Sequence, residues 1–279
     1  MSDRVLISIT DGVADVVFNR ADKRNALDNA MFSAIAEAGE QLKSESGLRA
    51  VVLSGDGASF CAGLDFSSFQ AMAGGGAGDG DGSSASENTR DDGNPGAMKD
   101  GRITHLGQQV CWVWQELPVP VIAAVHGHAL GGGFQIALGA DIRIVHPDTK
   151  MSVREVYWGL VPDMTGTFIL SQLVRPDIAK ELTFTARVFD AREGAELGVV
   201  TRLSDNPKDD AMALAHQIAG MSPGAVRGSK ALFNRQLSEG AAEQFAAERA
   251  AIGAQIGTPN QIEAVMSGME KRPPNYTDV

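Results

Sequence analysis

Two short stretches of this chain of 279 residues pair small side chains with a spacing suited to holding a negative oxygen. In HALGGGFQIAL, residues 128–138, Gly131, Gly132 and Gly133 run from a strand-like VIAAVHG into a helix-like FQIALGA. The first N–H groups of a helix have no internal acceptor, and that end carries partial positive charge. Glycines let a ligand or a second backbone approach those groups, which makes a place for a negative oxygen. No Gly-Lys-Ser/Thr follows, so the turn is not a phosphate P-loop; plain tight packing is the alternative. FCAGLD, residues 60–65, is a second loop of small residues after a strand, LRAVVLSG. Two such loops can each aim one N–H at the same carbonyl oxygen, forming an oxyanion hole. Gln135 lies three residues after Gly132 and shares its helix face. Its amide donates and accepts hydrogen bonds but cannot shuttle a proton near neutral pH. It is either a ligand-facing group in the pocket or an inert polar residue of the helix.

Other reactive side chains read as packing. His126 and His128 flank the glycine turn with no metal partner near them in sequence. Cys61 is a small buried residue beside its loop, with nothing to mark an activated thiol. Trp112 and Trp114 fill a helix and core.

The elements that must carry these groups follow from periodicity. RVLISITDGVADVVFNR alternates around Asp11-Gly12, a hairpin signal. LDNAMFSAIAEAGEQLKSE has helical spacing with Asp28 as N-cap. RITHLGQQVCWVWQEL is a helix stopped by Pro118 and Pro120. VIAAV, DIRIV, KMSV and GVVTRL (198–203) read as strands. From 207 to 268 only helical patterns occur, broken at Ser222-Pro223, near Gly240 and at Thr258-Pro259. Within 73–101, the run 74–82 holds six glycines in nine positions. That insertion reads as a mobile surface loop or a lid, because ordering it buries too little apolar surface. The expected organisation is an α/β core over 1–200 and a helical region over 201–279.

Composition narrows the function classes. The net charge of −11 argues against nucleic acid as a partner. Two cysteines offer neither a disulfide framework nor a metal cluster. The apolar runs are too short for a membrane span, and the N-terminus has no signal-peptide pattern. A cytoplasmic location is expected.

NRADKRNALDNAM, GASFCAGLDF, HGHALGGGFQIALGADIRI, EVYWGLVPD and SPGAVRGSKALFN together resemble the crotonase superfamily, the enoyl-CoA hydratase/isomerase family. The resemblance covers nearly the whole chain outside 73–101. It implies a spiral of ββα units with a C-terminal helical region used for trimerisation, in a homotrimer or dimer of trimers. It implies an acyl-CoA thioester as substrate, with coenzyme A part of that substrate, no separate cofactor and no metal. By position, the backbone N–H groups of Leu64 and Gly132 match the family's oxyanion hole. Ala62, Leu64, Asp65, Phe66 and Ser67 match a segment lining the CoA site, and Lys23, Arg24 and Ala26 match another CoA-contacting loop. Glu155 matches one of two family glutamates; the other position holds Gln135. Asp163, eight residues after Glu155, resembles an acid of dienoyl-CoA isomerases. The plain readings are a surface carboxylate paired with Arg154 for Glu155 and a turn residue after Pro162 for Asp163.

These matches imply a shared step in which a thioester enolate is stabilised, whatever occupies position 135. Hydration also needs an activated water and a delivered proton. A double-bond shift needs one base that returns its proton, or a facing pair. The expectation is an isomerase with Glu155 as principal base and Asp163 assisting. The alternatives are a hydratase with one altered group, a hydrolase or dehalogenase of the superfamily, and a non-catalytic acyl-CoA-binding or RNA-binding relative.

Overall fold

The computed structural model describes residues 3–65, 94–238 and 240–276. Its first strands, β1 (Val5–Thr10) and β2 (Val13–Phe18), form the expected hairpin. Asp11 and Gly12 both have positive φ, 51° and 78°. Such two-residue turns match the twist of the strands they join.

Beyond the hairpin, β2, β3 (Ala50–Gly55), β4 (Val121–Val125), β6 (Ile142–Val145) and β9 (Arg202–Leu203) run parallel in a six-stranded sheet ordered β1-β2-β3-β4-β6-β9. Parallel strands joined by helices are covered on both faces, and the side chains divide accordingly. Val51, Leu53, Val121, Ala123 and Val125 face helices α1 (Asn29–Lys43) and α2 (Leu106–Glu116) in the main core. Ala50, Val52, Ile122 and Ala124 face Ala211 and Ala215 of helix α7 (Pro207–Ala219). Asp28 caps α1 as expected, accepting the Met31 N–H at 2.8 Å.

A small second sheet, β5-β7-β8, joins β5 (His128–Leu130), β7 (Lys150–Ser152) and β8 (Phe189–Asp190). Between β5 and β6 lies α3 (Gly132–Gly139), every residue of which is buried. Helices α4 (Gly166–Leu173), α5 (Pro176–Thr185) and α6 (Ala191–Leu197) follow. After α7 come α8 (Pro223–Ser238), α9 (Ala241–Gln255) and α10 (Pro259–Glu270). The breaks between them fall where Pro223, Gly240 and Pro259 stand, because proline at a first helical turn needs no N–H acceptor.

One expected element is corrected. The strand expected over 198–203 is confined to Arg202–Leu203, because Gly198 ends α6 in the left-handed region and residues 198–200 bond back to Gly194. Within the expected helical region, β9 extends the main sheet and α7 covers it. Of the expected loop 73–101, the described part is 94–101, and it turns back with Leu106 N–H on Ala97 O and Gly107 N–H on Pro95 O. Its Gly-rich run, 74–82, lies outside the described residues.

Close backbone contact between the small second sheet and the 61–64 loop depends on Gly133. A Cβ there would stand 2.3 Å from Cys61 O and 2.8 Å from Cys61 Cβ. We expect Gly133→Ala to lower the unfolding free energy by about 2 kcal/mol or more. Denaturant titration checks this, and a change within about 0.5 kcal/mol would contradict the contact.

Candidate active site

Two backbone segments form the floor of one cavity. Residues 61–64 leave β3 and run parallel to β5, with Cys61 N–H on His128 O at 3.0 Å and Leu130 N–H on Cys61 O at 3.2 Å. Gly63, at φ +90°, passes so close that a Cβ would stand 2.6 Å from Leu130 O. On the other side, Leu27 N–H bonds Gly63 O at 2.8 Å and Asp65 N–H bonds Leu27 O at 2.9 Å. This parallel pairing uses the residues on either side of Leu64 and turns the Leu64 N–H away from Leu27. Gly132 is the first residue of α3, so its N–H has no partner within the helix. Among the described residues, neither of these two N–H groups has a hydrogen-bond acceptor. Both residues line a cavity of about 860 Å³.

The wall above that floor carries two carboxylates, Glu155 and Asp163. Glu155 opens a short 3-10 turn, Glu155–Trp158, just after β7. It is only 8% exposed. Burial pushes its carboxyl up to about 7, although the Gln135 amide donates to it. Its Oε2 has no hydrogen-bond partner among the described residues. The pairing with Arg154 weighed from sequence does not occur: Arg154 donates to Ala186 O and stacks over the Tyr157 ring at 3.8 Å. Asp163 is pushed up to about 8 by burial and by the nearby charges of Glu155 and Glu248. A quarter of its side chain is exposed, and that residue lies on the cavity wall.

Gln135 explains how these groups are held. Its Nε2 donates to Glu155 Oε1 at 2.6 Å, and its Oε1 accepts the N–H groups of Met164 and Gly166 at 3.0 and 2.9 Å. One buried amide thus ties the first carboxylate to the loop that carries the second. Gln135 is not among the residues lining the cavity. It shares a helix face with Gly132, but stands behind Glu155.

The expected CoA-contacting residues divide. Ala62, Leu64, Gly132 and Arg24 line the cavity. Lys23, Ala26 and Asp65 are not among its lining residues; Asp65 accepts from Arg20 at 2.6 Å. Phe66 and Ser67 lie outside the described residues. Asn25, passed over in sequence, ties the two loops: its Nδ2 donates to Asp56 O and Ser59 O, and its Oδ1 accepts the Arg20 N–H. Its φ of +56° is the signal, since asparagine tolerates left-handed backbone. His105 and Arg249 also line the cavity and were not read as site residues. Burial pushes the Cys61 thiol up to about 12, as fits an inert core residue. Among the described residues no cluster of metal-binding side chains occurs, and no helix is long and apolar enough to cross a membrane.

Residues 13–278 match the family model described as enoyl-CoA hydratase/isomerase. The chain belongs to the enoyl-CoA hydratase/isomerase family. It is 32% identical over 273 residues to a short-chain-enoyl-CoA hydratase of Clostridium acetobutylicum, covering 97% of this chain and 96% of that one. It is 31% identical over 269 residues to the mouse mitochondrial Delta(3,5)-Delta(2,4)-dienoyl-CoA isomerase, covering 93% and 77%. A crystal structure of an enoyl-CoA hydratase/isomerase from Mycobacterium paratuberculosis superposes with a TM-score of 0.82 at 22% identity, over 96% of this chain and 99% of that one. The crotonase fold expected from the motifs is therefore the fold of this family member.

The raised Glu155 carboxyl has a consequence for stability. Folded, it holds its proton to about pH 7; unfolded, only to about 4.5. Between those values the folded chain binds the extra proton, so stability falls as pH rises through that window and stays lower above it. Replacing the group by an amide removes this loss. Glu155→Gln should therefore stabilise the fold above pH 7, by up to roughly 3 kcal/mol, with the gain shrinking towards pH 4.5. Thermal unfolding across pH 4.5–8.5 measures it; an unchanged or lowered stability at pH 8 would contradict the buried, raised carboxyl.

Proposed function

We propose that this family member shifts a carbon–carbon double bond in an unsaturated acyl-CoA thioester, with Glu155 as the base and Asp163 as the partner acid. One observation carries the reading: among the described residues of the cavity wall, Glu155 and Asp163 are the two carboxylates, while position 135 holds an amide turned behind the wall.

The thioester oxygen would take the Leu64 and Gly132 N–H groups. Glu155 removes a proton from the carbon next to, or one double bond removed from, the carbonyl. The C–H electron pair moves into a new C=C bond, and negative charge collects on the thioester oxygen. One positioned donor at such an oxygen contributes about 2.7–4 kcal/mol. The electrons then return through the chain and the far carbon takes a proton from Asp163, after which proton exchange with solvent returns Glu155 to its ionised form and Asp163 to its protonated form. Both carboxyls are raised towards neutrality, and the charge of Glu155 opposes ionisation of Asp163, which favours one ionised and one protonated group in the pair. Arg24, bonded through its carbonyl to the Ala62 N–H, brings a cation beside the oxyanion loop, where a CoA phosphate could meet it.

The amide at 135 supports isomerisation over hydration because it supplies neither a base nor a proton for an added water. Relatives named for both reactions lie at similar identity, so the choice rests on the site. Purified protein should isomerise 3-enoyl-CoA or 3,5-dienoyl-CoA faster than it hydrates crotonyl-CoA; the reverse order would reject the isomerase reading in favour of a hydratase. Binding of all three without turnover would mark a non-catalytic relative. Glu155→Gln should cut kcat by ~10²–10⁴-fold while still binding the thioester. Full turnover in that variant would remove Glu155 from its role. Activity should rise with pH through about 7 and fall through about 8.

A further inference from the structure

We propose that His105 is a positioning residue for Asp163: its Nε2–H faces the Asp163 carboxylate and steadies the negative form left when Asp163 gives up a proton. The inference rests on the proton-transfer role of Asp163 proposed above.

His105 is the N-cap of α2. Its Nδ1 accepts the Gln108 N–H at 2.9 Å, and Gln108 Oε1 lies 3.3 Å from the His105 N–H in return. A ring nitrogen that accepts a hydrogen bond carries no proton, so in the neutral ring the proton sits on Nε2. That Nε2 lies 3.9 Å from Asp163 Oδ2. The gap is about 1 Å beyond hydrogen-bond length, and such bonds tighten as charge develops. The ring is only 5% exposed and lies on the cavity wall. It is pinned from behind as well: Gln108 donates to Phe245 O and Glu248 on α9, and accepts from Arg249 at 2.9 Å.

Charges around the pair fix its character. Glu155 on the 3-10 turn and Glu248 on α9 oppose ionisation of Asp163. Arg249 on α9 opposes a proton on the ring, and burial does so more strongly, holding His105 at about 4. The Cys111 thiol on α2 is held protonated by burial. His105 is therefore a neutral donor throughout the working pH range. A neutral N–H donor 3.9 Å from Asp163 Oδ2 offsets part of the repulsion from two carboxylates without becoming a competing acid.

His105→Asn separates the cap from the contact. Asparagine is a good N-cap, but its amide is too short to reach Asp163. In full-length protein, the Asp163 carboxyl can be followed by infrared difference titration with Asp163→Asn as the blank. His105→Asn should raise the Asp163 midpoint by about one pH unit with the melting temperature unchanged. On the isomerised substrate, the alkaline limb should move up with it, and kcat should fall about tenfold with KM little altered. An unchanged or lowered midpoint would overturn the proposal. Nitrogen NMR of the wild-type ring gives a check that needs no variant: the proton should sit on Nε2, and its signal should shift as Asp163 titrates. A proton on Nδ1, or a ring indifferent to that titration, would also overturn it. Because both titrations need no turnover, an inactive enzyme with the shifted midpoint would retire the isomerase reading alone.

Discussion

The close parallel run of residues 61–64 beside 128–132 is the constraint on which the site depends. Two peptide segments approach within the space of a side chain, and glycines at 63 and 133 leave that space open. Gly131 clears Glu155: a Cβ there would stand 3.2 Å from Glu155 Oε1. Packing of the two segments thus sets the direction of the Leu64 and Gly132 N–H groups and the room left for the base. The main sheet and its helices keep the ends of β3 and β4 in register, which keeps these segments in register.

Upon that floor, the chemistry is tuned by burial. Desolvation raises both carboxyls, and the charge of Glu155 raises Asp163 further. The amide at 135 keeps the pair from becoming a trio. A carboxylate in its place would stand 2.6 Å from Glu155 with no donor to offer unless protonated. An amide instead donates to Glu155 and accepts two backbone N–H groups, satisfying buried polar atoms that would otherwise be costly. Glu248 completes the frame from the C-terminal region, accepting from Thr165 N–H at 3.0 Å and from the Thr167 hydroxyl at 2.5 Å. The α9 helix is thus part of the site's support.

Much of this was legible in the sequence. The hairpin at Asp11-Gly12, the Asp28 cap and the proline-led helices announce themselves through local chemistry that tertiary structure does not override. The glycine turn and FCAGLD loop could be read because glycine has few other uses there. The direction of Gln135 could not: helix periodicity places it on a face with Gly132, but not behind or before a residue 20 positions away. His105 was hidden because histidine is an uncommon cap, and its link to Asp163 spans 58 positions. Asn94, Pro95 and Gly96 were hidden by the glycine run ahead of them, although all three line the cavity and Pro95 O accepts the Gly107 N–H at the start of α2. Lys23 and Asp65 belong to matching motifs but do not line the cavity, since a motif does not decide which of its side chains face it.

The central claim is that the Leu64 and Gly132 amides grip one thioester oxygen. The carbonyl stretch of a bound, isotopically labelled, non-reacting acyl-CoA reports that grip directly. The account predicts a band moved to lower frequency than in water, from polarisation by two donors. A band at its aqueous position or higher would contradict it.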